Sequence, residues 1–208
     1  MFRKFRSLVE SVSFLGRNLI HARSISAIQQ IQRDGFLIRG IKPSEVGMID
    51  NLYAQLHEGS RLTLTRKLLY RLLGSRLCVA AFDVEGIAKS NGKLRLLGFN
   101  MFYFNPRDIK DHTIHDGFIG VAPEASGRGI ATAMRHHVFQ HFAMNGIGGI
   151  SSRISANNLA SMAVAKKIGL KPVEEYWDDA MGEKRYYLKC DLKCYMQNNE
   201  CSKNNKQT

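Results

Sequence analysis

Between Phe118 and Ala131 the chain reads FIGVAPEASGRGIA, an apolar strand that breaks into a glycine-rich turn and re-forms as a helix. Such a turn is suited to holding a phosphate. Gly127 and Gly129 lack a Cβ, so the backbone can curl and aim its N–H groups at an anion, while Ala131 keeps the helix entry slim. The segment from Thr132 to Asn145 reads as a helix, and the positive end of its dipole would face the same anion. A second stretch, SANNLASMAVAKKIGLKPVEEYW from Ser155 to Trp177, sets Asn158, Ser161, Val164 and Ile168 at helical spacing and stops at Gly169.

Together these pieces resemble the GCN5-related N-acetyltransferase (GNAT) superfamily. Its signature is a strand ending in Val-x-Pro, then Gln/Arg-x-x-Gly-x-Gly/Ala, and later Asn-x-x-Ala/Ser with a Lys-x-Gly-Phe-like close. Here the counterparts are Val121-Ala122-Pro123, Ser126 to Ala131, Asn158 to Ser161, and Lys167-Ile168-Gly169-Leu170. The likeness runs from about Phe36 to Leu192. It implies an α/β (α+β) fold with a mixed, mostly antiparallel central sheet flanked by helices, and acetyl-CoA as co-substrate without a metal. Ser126, Gly127, Arg128, Gly129, Ile130 and Ala131, with Asn158 and Ser161, fall where the family holds the coenzyme. Val121 falls where a backbone N–H polarises the thioester carbonyl. Three positions depart from the pattern. Ser126 replaces a longer polar side chain, Leu170 replaces Phe, and Ala165 stands where many members carry a tyrosine that protonates the departing thiolate.

Acetyl transfer to an amine requires geometry, a neutral amine and a donor for the developing oxyanion. The family's base, where it sits on the strand before the loop, lies about six residues ahead of the Val, which is His115. Without a bulge, alternation along Thr113 to Val121 sets Val121, Ile119, Gly117 and His115 on one face. Asp116 is the alternative, because a bulge would exchange the faces. The general acid is unassigned among Tyr176, Tyr186 and Ser161. His112, His136, His137 and His141 read as a solvated face without metal-binding context. Arg66, Lys67 and Arg71 cluster on a helix that, by the resemblance, flanks the acceptor cleft, and they face either an anionic acceptor or plain solvent.

The surrounding elements follow from pattern. Phe36 to Ile41 is expected as a strand, Glu45 to Leu56 and Thr63 to Leu73 as helices, and Leu77 to Val84 with Leu94 to Phe104 as a hairpin across the loop from Gly86 to Lys93. Ile147 to Ile154, Pro172 to Trp177 and Arg185 to Leu192 are expected as further strands. Ahead of them, residues 1–35 form an amphipathic basic helical extension. Phe5, Leu8, Val12, Leu15 and Leu19 make one stripe, with Arg3, Lys4, Arg6 and Arg17 around it, and Ile25, Ile28 and Ile31 continue as a second. Residues 36–192 form the acetyltransferase domain, and 193–208 a polar tail expected to be disordered.

With 208 residues and 44% apolar content, the chain is long enough for a substantial core. No run approaches a bilayer span, and no export signal is evident, so a cytoplasmic protein is expected. Cys78, Cys190, Cys194 and Cys201 lack zinc-like spacing and read as free thiols. A net charge of +12 and a pI of 9.7 favour anionic partners, although no specific nucleic-acid motif is present. The leading expectation is an N-acetyltransferase for a small-molecule amine, with a nucleotide-linked amino sugar as the favoured acceptor. A degenerate acyl-CoA-binding sensor or scaffold, and a protein N-terminal or lysine acetyltransferase, are the alternatives. The N-terminal stripe over residues 1–20 suits peripheral contact with an anionic membrane at the inner surface, or packing on its own domain or on a second subunit in a homodimer.

Overall fold

A computed structural model describes residues 2–33, 35–84 and 94–197. Helix α1 (Phe2–Ala22) leads to strands β1 (Ile31–Arg33) and β2 (Phe36–Gly40), helices α2 (Val46–Leu56) and α3 (Leu64–Leu77), and the hairpin strands β3 (Cys78–Asp83) and β4 (Arg95–Tyr103). A short α4 (Pro106–Asp111) precedes β5 (Thr113–Val121). Then come α5 (Ile130–Met144), β6 (Gly149–Ser155), α6 (Leu159–Lys167), β7 (Lys171–Asp178) and β8 (Glu183–Asp191). The eight strands form one sheet in the order β1-β2-β3-β4-β5-β6-β8-β7, antiparallel except where β5 and β6 run parallel. This is the mixed, mostly antiparallel architecture expected from the sequence.

Local chemistry sets most boundaries. Thr63 caps α3 by accepting from the Arg66 N–H at 3.3 Å. Asn105 and Asp108 form a reciprocal capping box around Pro106, starting an α4 that the sequence reading passed over. Pleat alternation then divides the core. Phe102 points to Phe142 of α5, whereas Phe118 on the other face meets Tyr53 of α2. Helices α2 and α3 thus cover one face of the central strands and α5 the other.

The ends of the chain differ from expectation. Ile25 and Ile28 are buried in non-helical chain, and residues 31–33 pair with β2 as an edge strand rather than continuing a helical stripe. A spacing of three residues fits an inward-facing strap as well as a helix, and burial decides between them. Asn18 of α1 is fully buried and bridges the end of β4, donating to the Phe104 carbonyl at 3.2 Å and accepting from its N–H at 2.7 Å. At the other end, residues 192–197 are helical and Tyr195 is buried against Phe139, so this part of the expected tail packs on the domain. Residues 198–208, including Cys201, and the whole of the expected loop from Gly86 to Lys93 lie outside the described residues.

Candidate active site

The parallel ladder between β5 and β6 runs from Thr113 and Gly149 to Asp116 and Ser152 and stops there. Beyond it β5 continues on β4 alone, leaving one edge of Gly117–Val121 unpaired. The change coincides with a bulge, since Phe118 faces Met101 while Asp116 faces Phe102, so Gly117 is the extra residue. A Cβ at Gly117 would stand 2.3 Å from Tyr103 Cε1, so a side chain there would clash with the ring. The bulge exchanges the faces. Asp116, not His115, shares the face of Ile119 and Val121, which corrects the unbulged register.

His115 lies behind the cleft rather than in it. It is buried, packed on Tyr103, and its Nδ1 lies 2.7 Å from Ser151 Oγ. That hydroxyl donates to Asp108 Oδ1 at 2.6 Å, which also accepts from Thr113 Oγ1 at 2.7 Å. Ser151 has spent its proton on Asp108, so His115 donates from Nδ1. Burial, aided by the positive field of Arg153, Arg185 and Arg66, lowers its pKa to about 3. Asp116 is also buried, held by Arg135 through Nη2 at 3.0 Å and Nε at 3.1 Å. Burial raises its pKa, and the guanidinium opposes that rise.

The glycine-rich turn has the form its sequence requires. Gly127 and Gly129 have φ of +77° and +74°, and a Cβ at either would project into open space. Gly129 is the N-cap of α5, and no side chain caps that helix. Its first N–H groups therefore lack the partner that α3, α4 and α6 obtain from a side chain. Ser126 and Arg128 are exposed, whereas Ala125 and Ile130 anchor the turn in the core. The Ala122 N–H donates to the Leu97 carbonyl on β4 at 2.8 Å, so the Val121 N–H, one residue earlier, points to the unpaired edge. Asn158 caps α6, its Oδ1 accepting from the Ser161 N–H at 2.9 Å. These features fit a diphosphate at the turn and an amide-bearing arm along the open edge of β5. Ala165, at the family's tyrosine position, is fully buried and supplies no proton.

A cleft of about 400 Å³ opens between the separated strands. Asp116, Gly117, Phe118 and Ile119 line one wall, Ser152 to Ser155 with Asn158 and Ser161 the other, and Tyr53, His57 and Arg66 its far side. Tyr176 and Tyr186 do not line it. His57, which the sequence reading missed, closes the C-terminus of α2, stacked on Tyr53 at 4.0 Å and against Phe118 at 4.4 Å. Its Nδ1 lies 3.0 Å from the Tyr53 carbonyl, which can only accept, so in the neutral ring the proton sits on Nδ1 and the lone pair on Nε2. No local motif marks His57; α2 carries it to the cleft.

Charge in the cleft is uneven. Arg135 is taken by Asp116, and Arg185 lies 3.4 Å from Asp178. Arg66 and Arg153 have no carboxylate within ion-pair distance among the described residues. Of the expected cationic cluster, Lys67 is turned to Asp50 at 2.8 Å and Arg71 is exposed. Arg66 also borders a groove of about 660 Å³ between α1 and the start of α3.

The remaining histidines are more engaged than a solvated face would be. His141 is buried, His137 Nε2 lies 2.7 Å from the Gln29 carbonyl, His136 bonds the Tyr195 hydroxyl, and His112 ends α4 with φ of +54°. Cys78, Cys190 and Cys194 are free thiols. Among the described residues no group of three His, Cys, Asp or Glu side chains is placed to hold a metal ion.

The description of the acetyltransferase (GNAT) family matches residues 48–170, and the chain belongs to that family. A mycothiol acetyltransferase of Paenarthrobacter aurescens is 28% identical over 141 residues, covering 65% of this chain and 42% of the relative. Less than half of that relative's length is therefore represented. A putative acetyltransferase from Salmonella typhimurium, solved with its cofactor acetyl-CoA, superposes with a TM-score of 0.58 at 15% identity, covering 76% of this chain and 95% of its own. An N-acetyltransferase from Staphylococcus aureus Mu50 gives a TM-score of 0.58 at 20% identity, covering 76% and 99%. At these identities the two structures speak for the fold, which is the one the motifs imply.

Proposed function

We propose that the chain is an acetyl-CoA-dependent N-acetyltransferase whose acceptor is a primary amine on a small anionic molecule, with a nucleotide-linked amino sugar as the leading example. The observation that carries the acceptor class is the pair of unneutralised guanidiniums, Arg66 and Arg153, on the cleft. Two free cations at a cleft favour a substrate that brings its own negative charge and disfavour a polycation. The adjoining groove past Arg66 has room for a distal part of such a substrate.

The coenzyme supplies an acyl carbon activated as a thioester. Around it, the free N–H groups at the start of α5 hold the diphosphate, and the open edge of β5 receives the arm. The Val121 N–H donates to the acyl oxygen, where charge develops as the amine nitrogen attacks. The new C–N bond forms as the C–S bond breaks, and the thiolate leaves; the second proton, which the nitrogen sheds once it is bonded to the acyl carbon, passes to the thiolate through water. The ammonium must first lose a proton, and His57 Nε2 is the group we assign to accept it. His115 was expected in that role from its spacing, but its burial and depressed pKa suit an orienting element of the core better than a base at neutral pH. With no phenol at position 165, the thiolate departs unassisted or takes a proton from water; free thiols have pKa values near 8.5.

Thiol release measured with a panel of amines tests this reading. The expected result is turnover of a nucleotide-linked amino sugar at least tenfold more efficient than of the same amino sugar without its nucleotide, with the preference lost in Arg66→Gln. Acetyl-CoA binding without thiol release for any amine would instead establish the degenerate acyl-CoA binder, with which Ser126 and Ala165 are consistent.

A further inference from the structure

Helices α1 and α3 lie side by side and parallel. Thr65 Oγ1 lies 3.2 Å from Ser11 Oγ, and Arg76 Nη1 donates to the Ala22 carbonyl at 3.2 Å, both pairs being 54 residues apart. The two helices therefore advance in step. At about 100° per residue, Leu8, Val12 and Leu19 sit round α1 from this contact line, on the side opposite to Phe14 and Asn18, which face the domain. On α3, Leu64, Leu68 and Leu72 are displaced in the other rotational sense, away from Leu69 and Tyr70 in the core. Opposite displacements on parallel neighbours bring both rows to the same outward seam. The six side chains are between 42% and 84% exposed. Scattered apolar residues on a surface need no explanation, but two aligned rows do.

Charge identifies what covers the seam. In sequence, α1 carries Arg3, Lys4, Arg6 and Arg17 against the single acid Glu10, and α3 carries Arg66, Lys67, Arg71 and Arg76 with no acid. Arg66 lies on the cleft, Lys67 is engaged by Asp50 and Arg76 donates to the Ala22 and Arg23 carbonyls, which leaves Arg71, exposed beside Leu68 and Leu72, as the α3 cation at the seam. A second copy applied to this face would bring two cationic surfaces together. An anionic headgroup layer neutralises them while its acyl boundary receives the leucines.

We infer that the α1–α3 face docks on an anionic phospholipid bilayer, lying in the interface. Among the described residues no helix is long and apolar enough to cross one. This inference stands apart from the transferase reading and would survive its failure.

Co-sedimentation of the full chain with vesicles of phosphatidylcholine containing one part in four phosphatidylglycerol tests it. Binding is expected at low salt, with at least a tenfold lower partition to pure phosphatidylcholine. It should fall in about 1 M salt, where the screening length is about 3 Å. The double variant Leu68→Glu, Leu72→Glu should lose binding at least tenfold while its circular dichroism and melting temperature match the parent. Arg71→Glu, which leaves the apolar rows intact, should weaken binding mainly at low salt. Equal sedimentation of parent and both variants overturns the inference. So does a parent that sediments in analytical ultracentrifugation as a dimer, with the leucine variant a monomer and neither bound to vesicles.

Discussion

The two halves of β5 are one strand in two environments. From Thr113 to Asp116 both edges are paired, and the polar side chains satisfy one another: His115 through Ser151 and Asp108, Asp116 through Arg135. From Gly117 to Val121 only the β4 edge is paired, and the strand presents backbone. In the closed half, burial makes an unpaired polar group costly, so each is answered from within the protein. In the open half the same accounting leaves backbone donors for a ligand. The closed half of the strand thus serves the core, whereas the open half offers its backbone edge and Phe118 to the cleft, which His57 reaches from α2.

If that division holds, the largest catalytic effect should come from outside β5. His57→Gln should lower turnover by about 10² to 10⁴, with melting temperature and acetyl-CoA affinity close to those of the parent. A variant with full turnover would return the proton acceptor to the strand. The closed half should respond in stability instead. Arg135→Met leaves the Asp116 carboxylate buried without its partner and should cost about 3–5 kcal/mol in chemical denaturation. A cost under about 1 kcal/mol would mean that Asp116 is already neutral.

The open half should respond in affinity. Gly129→Asp adds a carboxylate at a residue with φ of +74°, beside the free N–H groups of α5. It should weaken acetyl-CoA binding on the order of 10²-fold by calorimetry, equivalent to about 2.7 kcal/mol, with the fold intact by circular dichroism. Unchanged affinity would remove the coenzyme from this turn.

The smallest expected effect is a pH slope. Burial lowers the pKa of His115 from 6.5 to about 3, so the native state favours the neutral ring. Below pH 6.5 the unfolded chain takes up a proton that the folded chain refuses. Stability is therefore full above that pH and falls as pH drops towards 3, by up to about 1.4 kcal/mol per pH unit from this residue. His115→Gln should flatten the dependence of the urea midpoint between pH 7 and 5. A parent and variant with parallel pH profiles would show that the closed half admits solvent.

Much of this site was legible because it is written in short-range signals. The bounds of β5, the two glycines of positive φ, and the Asn158 cap three residues from Ser161 each depend on neighbours in sequence. Helix α4 was equally readable in Asn105, Pro106 and Asp108, but six residues between two strands resemble a connection. The strap of Ile25 and Ile28, and the packing of Tyr195, were not readable, since their spacing or polar surroundings say nothing about which surface they meet.

By itself the sequence determined the family, the strand-turn-helix that suits a phosphate and the basic apolar helix at the start of the chain, because backbone sterics, pleat alternation and helical phase act within a few residues. Tertiary structure decided that Gly117 is the bulge, that His115 is sealed and Asp116 paired, that His57 and Arg66 reach the cleft, and that the leucines of α3 line up with those of α1. Each depends on a competition between distant segments: β4 and β6 for the edges of β5, and α1 against solvent for the side of α3. Burial sets the outcome, and it does not exist until the chain has folded.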